Sequence, residues 1–164
     1  MRNVASVERI ELGAEKLFPC NACLACERNR DSKCILNKDA LNDHLKRMVT
    51  ADCIVIASPV YFAGVTPQVK ALIDRAGLVS TVNGGMLRNK LGVSLAVEAR
   101  SGGIAALDQI DHFFLAQNMV MIGSDGWNVL KGREPGDVDG DRTGLENLSN
   151  LAANMAWLLE RLTR

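Results

Sequence analysis

The sequence predicts an α/β domain built around a parallel sheet. Three observations carry this expectation: short, mostly apolar runs at 53–57, 91–97 and 119–122; segments between and after them with apolar residues at helical spacing; and Gly, Pro or Ser-Pro breaks where one pattern gives way to the next. Strands buried on both faces read as continuous apolar runs, and strands that alternate with helices call for parallel crossovers.

Residues 7–12 set Val7, Ile10 and Leu12 against Glu8, Arg9 and Glu11, an imperfect period of two that predicts a short edge strand. Residues 15–36 show no period and read as a loop. Asp39 is placed to cap a helix carrying Leu41, Leu45, Met48 and Val49, after which 53–57 forms the first buried strand and Ser58-Pro59 stops it. A loop over 60–66 leads to Thr66 as cap and Pro67 in the first turn of a helix that turns Val69, Leu72 and Ile73 inward, with Gly77 as its terminator. Residues 91–97 form the second buried strand. Gly102-Gly103 opens a helix over 104–118 with Leu107, Ile110, Phe113, Phe114 and Leu115 apolar, and 119–122 forms the third strand. The Gly- and Asp-rich stretch 123–141 has no period, and an amphipathic helix over 144–162 closes the chain.

Size and composition narrow the function classes. A chain of 164 residues holds one domain. With 48% hydrophobic and 23% charged residues it builds an ordinary core and is not disordered. Nineteen basic and nineteen acidic residues leave a net charge of zero, without the basic excess of a nucleic-acid binder. No apolar run approaches the roughly 18 residues that span a bilayer, and no apolar signal region follows Met1. The expectation is a soluble, cytoplasmic protein with neither nucleic acid nor membrane as partner.

Four of the five cysteines, Cys20, Cys23, Cys26 and Cys34, fall in the spacing C-x2-C-x2-C-x7-C. An odd total in a chain without an export signal argues against a disulfide scaffold. Three thiolates at intervals of three can wrap one face of a cubane and a fourth can close it, which is the ligand count of a 4Fe-4S centre. The last interval is longer than in the bacterial ferredoxin run, so the match is to ligand count. Zinc is the first alternative, although its all-cysteine sites usually pair two separated C-x2-C units. A set of free or regulatory thiols is the second. Cys53 opens a buried run and reads as core.

The stretch from Ser58-Pro59-Val60-Tyr61-Phe62 through Val65, Gln68 and Lys70 to Ile73-Asp74-Arg75 resembles the signature of the flavodoxin-like NAD(P)H-dependent FMN reductase family. The cysteine segment resembles the compact motif of that family's iron-sulfur flavoprotein branch, and residues 132–136 and 141–145 resemble its C-terminal region. The resemblance implies a flavodoxin-like three-layer sandwich with a parallel sheet, a single domain over 1–164 carrying a cysteine-cluster loop at 18–36. It also implies FMN and a 4Fe-4S cluster as cofactors, NAD(P)H as a donor, and assembly as a homodimer or homotetramer. Ser58, Pro59, Val60, Tyr61 and Phe62 are then one flavin loop, whose two aromatics can wall the isoalloxazine ring. Taken alone, the two aromatics would be ordinary packing residues. Glu98, Ala99, Arg100, Ser101, Gly102 and Gly103 are the second loop, with backbone amides near the ring's pyrimidine edge. Without the resemblance this Gly-Gly is equally a simple turn. Asp74 and Arg75 read as a structural ion pair or a subunit contact, with no chemistry assigned.

Family sheets run in the order 2-1-3-4-5 and begin with a strand and a phosphate loop that find no match here, so 7–12 corresponds to the second strand. The expectation is an N-terminally incomplete domain: a truncated gene model, or a strand supplied by another chain or by residues 1–6. Weak FMN binding follows. The preferred reading is an electron-transfer flavoprotein or FMN-dependent oxidoreductase, exchanging electrons with small-molecule or protein donors and acceptors. The alternative is a non-catalytic metal-binding or interaction module on the same fold.

Overall fold

In a computed structural model the described residues, 5–162, form five helices and four strands. The helices are α1 (Ala25–Asn29), α2 (Leu41–Thr50), α3 (Pro67–Val82), α4 (Gly103–Ala116) and α5 (Arg142–Leu162); the strands are β1 (Cys53–Pro59), β2 (Leu91–Glu98), β3 (Val120–Met121) and β4 (Val129–Lys131). All strand pairings are parallel. β1 lies beside β2 in the register Cys53 to Leu91 through Pro59 to Val97, while β3 and β4 pair with successive parts of β2 on its other side. The predicted α/β parallel architecture is what forms.

Gly92 and Ser94 of β2 turn toward α4: a Cβ at Gly92 would sit 2.7 Å from the Phe114 ring, so only glycine admits that helix. Ile54 and Ile56, in register with Gly92 and Ser94, face the same way and join Val69, Leu72, Ala76, Ile110 and Phe114 in the main core. The opposite face of β1 is open. Val55 is 46% exposed, and Ala57 and Pro59 are exposed too, so this strand is not buried on both faces as its apolar run predicts. Among the described residues β1 is also an edge, with β2 as its one strand partner.

Other expectations are corrected. Residues 7–11 make no strand; Val7 is 89% exposed, Glu8 pairs with Arg47, Arg9 pairs with Glu11, and a 3-10 turn follows at Leu12–Ala14. Alternation makes a strand only where a sheet edge accepts it, and here the charged residues take ion-pair partners instead. The expected rearrangement of residues 1–6 falls partly on 1–4, outside the described residues. Gly77 does not end α3: it is buried mid-helix against Phe113, and the helix runs on to Val82. The third strand shortens to Val120–Met121, and β4 arises inside the stretch read as irregular.

Candidate functional site

The cysteine segment is bent into a cleft by a backbone that ordinary residues resist. Ala22, Leu24, Arg30 and Ser32 all have positive φ, between +49° and +60°. Left-handed backbone costs an L-residue roughly 1–2 kcal/mol, and strain of this kind persists only where surrounding structure enforces it. The loop is interrupted by the single-turn α1, which carries buried Cys26. Cys20, Cys23, Cys26 and Cys34 then line one cleft together with Leu24 and Ile35 from the loop and Arg75, Leu78 and Val79 from α3. Cys20 and Cys23 are exposed, Cys34 is half-buried, and all are free thiols.

The enforcing structure is a buried polar network. Asp39 accepts from the Phe18 amide at 2.9 Å and the Leu41 amide at 3.3 Å; the N-cap of α2 is Ala40, so Asp39 is not the expected cap but stands one residue before it, turning the chain into the helix and holding the start of the loop. Its carboxylate pairs with Arg75, and both side chains are fully buried. Burial pushes the Asp39 carboxyl up, but hydrogen bonds from Arg75, Phe18 and Leu41 outweigh it and hold the group below the usual carboxylate range. Asn42 brackets Cys34, accepting its amide at 2.8 Å and donating to its carbonyl at 2.9 Å. Arg75 therefore pairs with Asp39, whereas Asp74 pairs with Lys70 one turn earlier, so the expected ion pair between neighbours does not form.

The donor set is four thiols and no histidine. Among the described residues no three His, Cys, Asp or Glu side chains converge as they would on a single ion. Burial pushes the Cys26 thiol up, and Cys34 and Cys23 as like charges push the same way, against the lowering pull of the backbone hydrogen bonds at Glu27 and Cys26. The set fits a cluster in kind and number. Cys53 stands apart on β1, its thiol pushed up to about 11 by burial first and then by Asp52, which leaves it inert at neutral pH.

The two strand-end loops meet each other. Ser58 is buried; its hydroxyl donates to the Pro59 carbonyl at 2.8 Å and accepts from the Thr66 amide at 3.0 Å, closing the loop that leads into α3. Val60 extends the ladder to Val97. Tyr61 and Gly64 exchange both backbone hydrogen bonds across Phe62 (φ +48°) and Ala63 (φ +57°), a mirror-image turn normally built from Asn and Gly. Its tip projects outward, with Tyr61 58% exposed and Phe62 fully so. Gly102 (φ +98°) packs beneath, where a Cβ would meet Ala63 Cα at 3.0 Å. Glu98 takes the Gly103 amide at 2.7 Å, capping α4 with the carboxylate that a helix N-terminus favours. Ala99, Arg100 and Ser101 are exposed, and among the described residues their amides make no backbone hydrogen bond. Solvent-facing aromatics beside unengaged amides fit a planar ring with a polar edge.

The cysteine cleft and these loops lie at different levels of α3. The loops adjoin its first turn, whereas Arg75 and Val79 lie about 12 and 18 Å further along its axis at 1.5 Å per residue. Asn42, Glu98 in its capping role and Arg75 are the residues that sequence reasoning missed or left without a role, and Asp39 was read only as a helix cap. Of these, only Asp39 carried a local signal.

The chain is similar to known proteins over most of its length. A model of the family described as NADPH-dependent FMN reductase matches residues 1–134. An iron-sulfur flavoprotein of Methanocaldococcus jannaschii is 37% identical over 166 aligned positions, covering 96% of this chain and 82% of the relative. One from Methanosarcina thermophila is 29% identical, with coverage of 96% and 80%. Among solved structures, RosB with a bound flavin-phosphate intermediate superposes with a TM-score of 0.65 at 18% identity, over 78% of this chain and 55% of that one. The Trp repressor binding protein of Bacillus subtilis gives 0.58 at 20% identity, over 68% and 69%.

Proposed function

The chain belongs to the NADPH-dependent FMN reductase family, and from that premise we propose that it is an electron-transferring iron-sulfur flavoprotein whose two cofactors occupy the two regions described above. In this reading Cys20, Cys23, Cys26 and Cys34 hold a 4Fe-4S cluster. Ser58–Phe62 and Glu98–Gly103 border the flavin ring, and one domain spans 1–164. The cluster supplies one-electron and the flavin two-electron exchange when bound; the protein supplies position and electrostatics.

The observation that carries the reading is the gathering of four free thiols on one cleft by a buried network that reaches from Phe18 to Arg75. Leu24, Ile35, Leu78 and Val79 give that cleft apolar walls. At the other region Tyr61 and Phe62 offer π-faces, Gly102 lets the two loops approach, and the amides of Ala99–Ser101 can donate to the ring's polar edge. NAD(P)H or a protein donor feeds the flavin from solvent, where these groups are exposed. Assembly as a homodimer or homotetramer is supported by the open β1 edge and the exposed Val55 and Phe62.

Anaerobic reconstitution with iron and sulfide tests the cluster half. Cys23→Ser should lose most of the bound iron; iron content unchanged by the substitution would remove Cys23 from the ligand set. No helix among the described residues is long and apolar enough to cross a membrane.

A further inference from the structure

The Arg75 guanidinium is fully committed inside the protein, and part of that commitment goes to sulfur. Nη1 donates to the Phe18 carbonyl at 3.0 Å and to Asp39; Nη2 donates to the Leu36 carbonyl at 2.6 Å and to Asp39 at 3.2 Å. Nε and Nη2 each lie 3.4 Å from Sγ of Cys34. An ion pair serving only to pin the loop needs the carboxylate and the two carbonyls. Turning the edge of the fork onto the half-buried Cys34 thiol is an additional commitment, made by a guanidinium that is itself out of contact with solvent. Among the described residues, Cys34 is the one of the four cysteines whose sulfur receives side-chain N–H groups.

We propose that Arg75 sets the reduction potential of the cluster by donating Nε–H and Nη2–H to Sγ of Cys34. The inference rests on the cluster assignment made above. N–H bonds to a ligating sulfur draw electron density from it and favour the more negatively charged, reduced form, which raises the potential. The donor side of these bonds is shut off from water, and the lowered local dielectric there makes them stronger than bonds made wholly on the surface. Asp39 offsets the net charge of Arg75, so the effect lies in the geometry of the donors. Lysine cannot reproduce it: an ammonium beside Asp39 keeps the ion pair but lacks the planar fork that reaches carboxylate and sulfur together. Arg75 is thus a positioning and tuning residue.

The full chain, reconstituted anaerobically with iron and sulfide, is titrated with a one-electron reductant and mediators while the cluster signal is followed by electron paramagnetic resonance. R75K should keep its iron and sulfide, with a reduction equilibrium shifted tenfold against the reduced form, a midpoint about 59 mV lower for a one-electron couple. The double variant R75Q/D39N removes both buried charges at once and strands neither; its midpoint should fall at least as far. A wild-type midpoint in either loaded variant overturns the role of Arg75 while leaving the cluster assignment intact. Loss of the cluster from both variants with the fold preserved by circular dichroism also overturns it, because Arg75 would then serve only to hold Cys34. A wild-type chain that takes up no iron and sulfide overturns the cluster assignment, and this proposal with it.

Discussion

The cysteine cleft and the paired strand-end loops are built in opposite ways. The cleft hangs from a buried ion pair, with Arg75 and Asp39 out of contact with solvent and strained backbone held between them. The loops meet at one close approach, Gly102 beneath Ala63, and present Tyr61 and Phe62 outward. One site is organised by the interior of the chain before any ligand arrives. The other offers surfaces whose partner has still to cover them. Changes at the first should therefore damage the fold, and changes at the second should damage binding while sparing the fold.

The largest expected effect is at the cleft. Arg75→Ala strands the Asp39 carboxylate in the interior and should cost about 3–5 kcal/mol in urea denaturation. The double change Arg75→Ala, Asp39→Ala should cost clearly less than the sum of the single ones, because no charge is then left alone. Additive losses would mean that the two groups do not act as a pair.

Next comes the junction of the two loops. Gly102→Ala places a side chain at φ +98° and against Ala63, for a loss of about 1–2 kcal/mol. Because it forces the turn at 61–64 away from 98–103, flavin affinity in a fluorescence titration should fall as well. A stability loss with unchanged flavin affinity would separate the two loops functionally.

Acid should also tell the regions apart. Asp39 has its folded pKa depressed, so its contribution to stability is fully present above the ordinary carboxylate range and is lost as pH falls through the lower folded value. Melting temperatures measured downward from neutral pH should drop in that window. R75Q/D39N, which lacks the titrating group, should show a flatter profile there, and an identical acid slope would contradict the assignment.

The smallest effect on the fold is expected at Phe62. Its side chain is fully exposed, so Phe62→Ala should stay within about 0.5 kcal/mol of the parent. Loss of one aromatic contact, about 0.5–1.5 kcal/mol, should weaken flavin binding by up to roughly tenfold.

The same contrast explains what the sequence could reveal. The parallel α/β plan and the positions of β1, β2 and α4 were legible because each is encoded within a few consecutive residues, as is the cysteine spacing, although β1 runs on through the Ser58-Pro59 read as its stop. The network that shapes the cleft was not, since Arg75 meets Asp39 and Cys34 across 36 and 41 positions of chain. Local pattern also misled where it depends on neighbours. The run 53–57 is apolar whether or not a partner covers its outer face, and 7–12 alternates yet pairs with no strand among the described residues. β4 is three residues long, too short to rise above the Gly- and Asp-rich segment around it.

The most direct test of the account is the rate at which a one-electron donor bleaches bound FMN in the anaerobically reconstituted chain, compared with Cys23→Ser carrying the same flavin load. If the four cysteines hold a cluster that feeds electrons to the flavin, bleaching should be fast in the parent and slowed by orders of magnitude in the variant. Equal rates in the two proteins would show that electrons reach the flavin without the cysteine site, and would contradict the electron-transfer role proposed for it.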